Sequence, residues 1–195
     1  MADQAKQQHH EIGDWLGDIV ALESHVEEAM DRQLQLTSGN ATLTAAIKRF
    51  HDTIRDSKQR AVRYQEQYGS TSGNPIIKAG ANLLGKAAGM IDKMRSDSVS
   101  KALRDDYTAY NHVAIAYTML HTTAMALGDA ATQSFAEQGL RTYAAMVQEL
   151  NHLIPEAVVE DLKGNADVPS VDTSVAGACR QIVDGIWRST AHSAM

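Results

Sequence analysis

The chain is poor in the residues that usually staple or break structure. Its 195 residues include one cysteine, Cys179, so an intrachain disulfide is impossible and a zinc cluster has too few thiolates to form. Only three prolines occur, at 75, 155 and 169, which suits a chain built of long helices. No cluster of Lys and Arg marks a nucleic-acid footprint, and the formal charge of −6 is modest and spread along the sequence. The opening MADQAKQQHH lacks the apolar centre of a secretory signal, and nothing reaches the charge-free length of a membrane span. No strand leads into a glycine-rich phosphate loop. These absences indicate a cytoplasmic, all-helical protein without a nucleic-acid partner.

The residues that are present give long amphipathic segments. A hydrophobic share of 44% can bury one full core, so a single domain is expected. Residues 1–10 read as a disordered polar tail. A first helix is expected from Glu11 to Leu36, with Ile12, Leu16, Ile19, Val26, Met30 and Leu34 on one stripe. A second runs from Leu43 to Tyr68, its apolar face carrying Leu43, Ile47, Phe50, Ile54 and Ala61 with Ser57 among them. The third, from Ser98 to Gly128, is alanine-rich and free of internal glycine and proline. Asp106, Tyr110, Val113, Tyr117, Leu120 and Ala124 share one of its faces. The fourth begins after Asp129, a fitting N-cap, and presents Ala136, Gly139, Tyr143, Met146, Val147 and Leu150 inward. Pro155 is expected to end or kink it. A loop over 165–174 and a short helix from Val175 to Trp187 complete the pattern, with Cys179 expected as a small core residue.

Between the second and third helices lies IIKAGANLLGKAAGMIDKM, residues 76–94, with glycines at 80, 85 and 89. Small residues at such spacing let helices approach closely. Gly80, Leu84, Gly85, Ala88, Gly89 and Ile91 therefore form a candidate association segment, as a crossover or dimer-contact helix. Contact with a membrane surface is the alternative for the same stretch.

Four long helices with one long connection match the ferritin-like arrangement, in which inward carboxylates and Glu-x-x-His pairs hold two metals. Glu23 fits that chemistry, because it lies about 20° from the middle of the first helix's apolar stripe. A carboxylate there costs several kcal/mol, roughly, unless it is paired, protonated or metal-bound. The other helices offer Ser57, Tyr110, Tyr117 and Tyr143 at inward positions, a buried polar core rather than a ligand set. His112 lies about 90° off the third helix's inward line and is the weak second metal candidate. No catalytic residue and no cofactor is expected on this reading; iron or manganese enters only on the oxidase alternative.

The segments LGDIVALESHVEEAM (16–30), IRDSKQRAVRYQ (54–65), YNHVAIAYTML (110–120) and MVQELNHLIPEAVVEDL (146–162) carry a resemblance. In their order they resemble the ferritin-like stress proteins of the YciE/YciF type, a family of largely unknown function. The resemblance covers residues 11–163, leaving 164–195 as a loop and a C-terminal helix packing on the bundle. It implies an antiparallel four-helix bundle with a crossover helix between helices two and three. It also implies Glu23 as a first-helix metal-ligand candidate and a second-helix acid at Asp56. The remaining ligand positions fall on Gln59 or Arg60, Tyr110 and Val113, and near Thr142 and Tyr143. Most ligands are thus replaced. The expectation is a non-catalytic bundle acting through self-association or in a larger assembly or stress response. The alternatives are a di-iron or di-manganese oxidase or peroxide scavenger, and a membrane-surface protein.

Overall fold

A computed structural model describes residues 2–34, 40–68 and 98–193. Among these residues the chain forms five α-helices and no strand. They are α1 (Ala2–Gln33), α2 (Ala41–Gln65), α3 (Val99–Leu127), α4 (Ala130–Lys163) and α5 (Val175–Ser193), with a 3-10 turn at Glu66–Tyr68 after α2. The candidate association segment, including Gly80, Leu84, Gly85, Ala88, Gly89 and Ile91, lies outside the described residues.

Local chemistry sets the helix ends. The Asn40 side chain accepts from the Leu43 N–H at 3.1 Å, and Ser98 Oγ accepts from the Lys101 N–H at 3.3 Å. Between α3 and α4 the turn is a left-handed glycine followed by a cap. Gly128 has φ of 73°, and the Asp129 carboxylate accepts from the Thr132 N–H at 3.0 Å.

The α1–α2, α1–α3, α3–α4 and α2–α4 pairs pack together, so α2 and α3 occupy one diagonal of a four-helix ring. Each neighbouring pair is antiparallel. Glu23 meets Ser57 while Asp31 meets His51, and Asn40 meets Glu156 while Tyr68 meets Asp129. Helices α2 and α3 therefore run parallel. Tyr68 and Ser98 stand at opposite ends of the bundle, the first beside Asp129 and the second beside Asp161.

Several helix ends differ from the sequence reading. Helix α1 starts at Ala2 rather than Glu11, because Ala, Gln and Lys in residues 2–10 are good helix formers. At its other end Gln33 is buried and Leu34 exposed, because the Gln33 amide donates to Asp106 across the interface. Helix α4 passes through Pro155 and continues to Lys163. The missing N–H costs about 3 kcal/mol in a helix interior. Burial of Ala157 and Val159 and polar contacts from Glu156 and Asp161 to the starts of α2 and α3 offset it.

Candidate functional site

The centre of the bundle holds one carboxyl among hydroxyls. The apolar period of α1 turns Glu23 inward, and its side chain is fully buried. Ser57 Oγ on α2 donates to Glu23 Oε1 at 2.6 Å, and the Tyr117 hydroxyl on α3 donates to the same oxygen at 2.9 Å. Oε2 and the Tyr143 hydroxyl from α4 are both shielded from solvent, and neither makes a hydrogen bond of normal geometry. All four bundle helices thus contribute to one polar cluster.

Burial pushes the Glu23 pKa upward, against the opposing pull of Ser57, Tyr117, Tyr143 and the Arg60 charge. Burial likewise raises the pKa values of Tyr117 and Tyr143, and the neighbouring Glu23 charge adds to both. The phenols are therefore donors and not phenolates. A proton on Glu23, which burial favours, supplies a donor between Oε2 and the Tyr143 oxygen.

Aromatic rings fill the space beside the carboxyl. Tyr117 and Tyr143 have ring centroids 6.0 Å apart, Tyr143 and Tyr110 6.2 Å, and Tyr110 and Phe50 5.8 Å. The Tyr110 hydroxyl does not reach Glu23 but donates to Met30 Sδ at 3.2 Å. Helices α3 and α4 approach closely here because Gly139 leaves room for the Tyr117 ring.

The donor set does not fit a pair of carboxylate-bound metals. Asp56, Gln59 and His112 are exposed, and Glu137 is exposed and paired with Arg141. Glu149 is engaged by Arg49 at the surface. Among the described residues no group of three or more His, Cys, Asp or Glu side chains is arranged to hold a metal ion. The weak candidate pair of Glu23 and His112 is not brought together, because one faces the core and the other solvent.

Two polar contacts near the bundle ends had no sequence signal strong enough to single them out. Gln33 Nε2 donates to Asp106 Oδ1 at 2.8 Å inside the core. Asp161, past the proline, accepts from Ser98 Oγ at 2.5 Å and from the Val99 and Ser100 N–H groups at 3.1 and 2.9 Å. It caps α3 from the far end of α4. Burial alone raises the Asp161 pKa, but these hydrogen bonds outweigh it and hold the carboxyl below its ordinary value.

The outer surface is organised around α5. This helix is held on α4 by polar groups. Asp184 Oδ1 lies 2.7 Å from His152 Nε2, and Arg180 Nε donates to the His152 carbonyl at 3.1 Å. Trp187 closes one side of an open groove of about 600 Å³ against Tyr107, Asn111 and Val147. The apolar stripe of α5 faces away from the bundle, and Cys179, expected in the core, is exposed with it. The polar contacts of Arg180 and Asp184 fix that orientation.

The fold and its interior define a helical-bundle domain centred on a hydrogen-bonded carboxyl. The chain belongs to the family described as Domain of unknown function (DUF892), whose model matches residues 8–163. That match ends with α4 and leaves α5 outside it. Comparison with curated proteins and with solved structures finds no significant match.

Proposed function

We propose that this chain is a ferritin-like helical-bundle protein that works by association, with itself or within a larger assembly, and not by chemistry in its interior. Parallel α2 and α3, with Tyr68 and Ser98 at opposite ends, support the ferritin-like connection. Ser57 and Tyr117 both donate to Glu23 Oε1, and burial favours the neutral acid, which argues against the oxidase reading. The resemblance to YciE/YciF-type stress proteins suggests the setting.

The observation that carries association is the orientation of α5, whose polar face meets the bundle and whose apolar face meets solvent. Exposed apolar patches rimmed by polar residues mark interaction surfaces. Sedimentation velocity over a concentration series tests the self-association form. Weight-average mass above one chain, rising with concentration, is the expected result. A strictly monomeric species at high micromolar concentration overturns self-association.

A further inference from the structure

The chain is poor in aromatic residues, yet five of its six tyrosines lie in one unbroken series of rings. The series starts at the buried Tyr110 and Tyr143, passes to Tyr117, and leaves the core through Phe135. The Phe135 ring centroid lies 6.0 Å from that of Tyr117 and 4.2 Å from that of Tyr64, on which it stacks with planes 4° apart. Tyr64 in turn lies 5.7 Å from Tyr68, which is half-buried beside Asp129 at the bundle's end. Neighbouring rings are thus close enough, from the middle of the bundle to its end, for an electron to pass between them.

Packing alone does not call for phenols in the buried part. Tyr110 gives its hydroxyl hydrogen to a thioether sulfur, a weak acceptor, and the Tyr143 hydroxyl makes no hydrogen bond of normal geometry. A poorly satisfied buried hydroxyl costs stability, and phenylalanine would fill either place without one. What the hydroxyl adds is a ring that is easier to oxidise.

The phenols differ in where their protons can go. A phenol that has lost one electron is a strong acid, and its radical persists only where a base takes the proton. Tyr110 faces sulfur, and Tyr64 meets the Thr132 hydroxyl at 3.0 Å. Tyr117 and Tyr143 face Glu23, which burial turns toward the neutral acid. Tyr68 instead donates to Asp129 Oδ2 at 2.9 Å. Burial acts to raise the Asp129 pKa, but hydrogen bonds from Thr132 and Tyr68 outweigh it and hold the carboxyl below its ordinary value. Within the series, Tyr68 is therefore the phenol with an ionised acceptor.

We infer that Tyr68 is a redox-active tyrosine, on which the oxidising equivalent of a small one-electron oxidant settles after entering any ring of the series. The oxidant takes one electron from a ring and is reduced. Electrons then pass inward from Tyr68, ring to ring, until the deficit stands on Tyr68. Its O–H bond breaks, the proton forms an O–H bond on Asp129, and a neutral phenoxyl radical remains at the bundle's end. No bond is broken in the interior, so this inference stands beside the association reading and does not depend on it.

The test uses the full chain, with circular dichroism to confirm the helical fold of each variant. Ultraviolet flashes eject electrons from tyrosine rings wherever they lie, and hexaamminecobalt(III) takes them up. A nitroso spin trap then marks the phenoxyl radicals, and peptide mass spectrometry locates the marks. Tyr107, half-buried like Tyr68 but outside the series, is the internal control. In the wild type the mark falls on Tyr68 in clear excess over Tyr107. Asp129→Asn, which keeps a good N-cap but offers no base, loses that excess. Phe135→Leu, which removes the ring between Tyr117 and Tyr64, lowers the Tyr68 mark while leaving Tyr107 unchanged. Equal marking of Tyr68 and Tyr107 in the wild type overturns the inference. So does a Tyr68 mark that either variant leaves unchanged; if Phe135→Leu does not fold, Asp129→Asn decides.

Discussion

The ring of Tyr117 lies across Gly139 so closely that a Cβ on the glycine would stand 2.2 to 2.5 Å from three ring carbons. Real contacts of this kind are not found, so the glycine permits the approach of α3 to α4 at the level of the buried carboxyl. The same ring carries the hydroxyl that donates to Glu23.

Gly139→Ala is therefore expected to destabilise the fold despite its better helix propensity. Overpacking a filled core costs about 1–3 kcal/mol, more than the ~1 kcal/mol gained from replacing glycine in a helix. Urea denaturation with matched slopes measures the difference. Equal or greater stability for the variant would mean that Tyr117 has room to move.

Glu23→Gln is expected to keep or raise thermal stability at neutral pH. The carboxamide oxygen accepts from Ser57 and Tyr117, and its nitrogen donates to Tyr143, with no charge to bury. Burial raises the pKa of Glu23, so the folded protein holds this proton more tightly than the unfolded chain does. Its contribution is complete below the ordinary carboxylate value of 4.5 and is lost as pH rises through the higher folded value. Melting curves between pH 4 and pH 8, on the order of half-unit steps, should fall with pH in the wild type and flatten in the variant. Parallel slopes would show that Glu23 does not titrate in this window. Glu23→Ala removes the acceptor of two buried hydroxyls and leaves a cavity, at a cost of about 2–4 kcal/mol.

Asp161 has the opposite sign. Its pKa is lowered by the hydrogen bonds it accepts at the start of α3, so its stabilisation is present above the ordinary value of 3.8 and lost as pH falls through the folded one. Asp161→Ala should cost about 1–2 kcal/mol, the range of a lost N-cap. Native-state hydrogen exchange should locate the loss in the first turn of α3. Unchanged protection at Val99 to Leu103 would mean that Ser98 caps the helix alone.

Elemental analysis after anaerobic incubation with Fe(II) and Mn(II) should find no stoichiometric metal, because one buried carboxyl whose Oε1 already accepts from two hydroxyls is a poor hard-ion site. About two metals per chain, lost in Glu23→Gln, would restore the oxidase reading.

Much of the bundle is legible from hydrophobic period alone. The inward row of α3, from Asp106 to Ala124, and the burial of Glu23 follow from a 3.6-residue repeat in segments without breakers. The period is silent about partners. It turned Glu23 inward, but Tyr117 and Ser57 became its donors only through the packing of three helices. It also failed where a local rule was overridden. Pro155 marked an end or a kink, yet contacts made by Glu156 and Asp161 carry α4 onward. For α5 the stripe was legible but its direction was not. Amphipathicity says that a face is apolar, while the Arg180 and Asp184 contacts decide which way it points.

The antiparallel ring described above divides into two helical hairpins, α1–α2 and α3–α4, joined end to opposite end. Glu23 and Ser57 belong to the first hairpin, and Tyr117 and Tyr143 to the second. A slide of one hairpin along the other by a single turn, about 5.4 Å, would carry the phenols away from the carboxyl and leave it facing hydrocarbon. Apolar stripes tolerate such a slip, since Leu and Ile on one turn resemble those on the next. The lone carboxyl does not, and it works as a vernier mark that admits one alignment of the two halves.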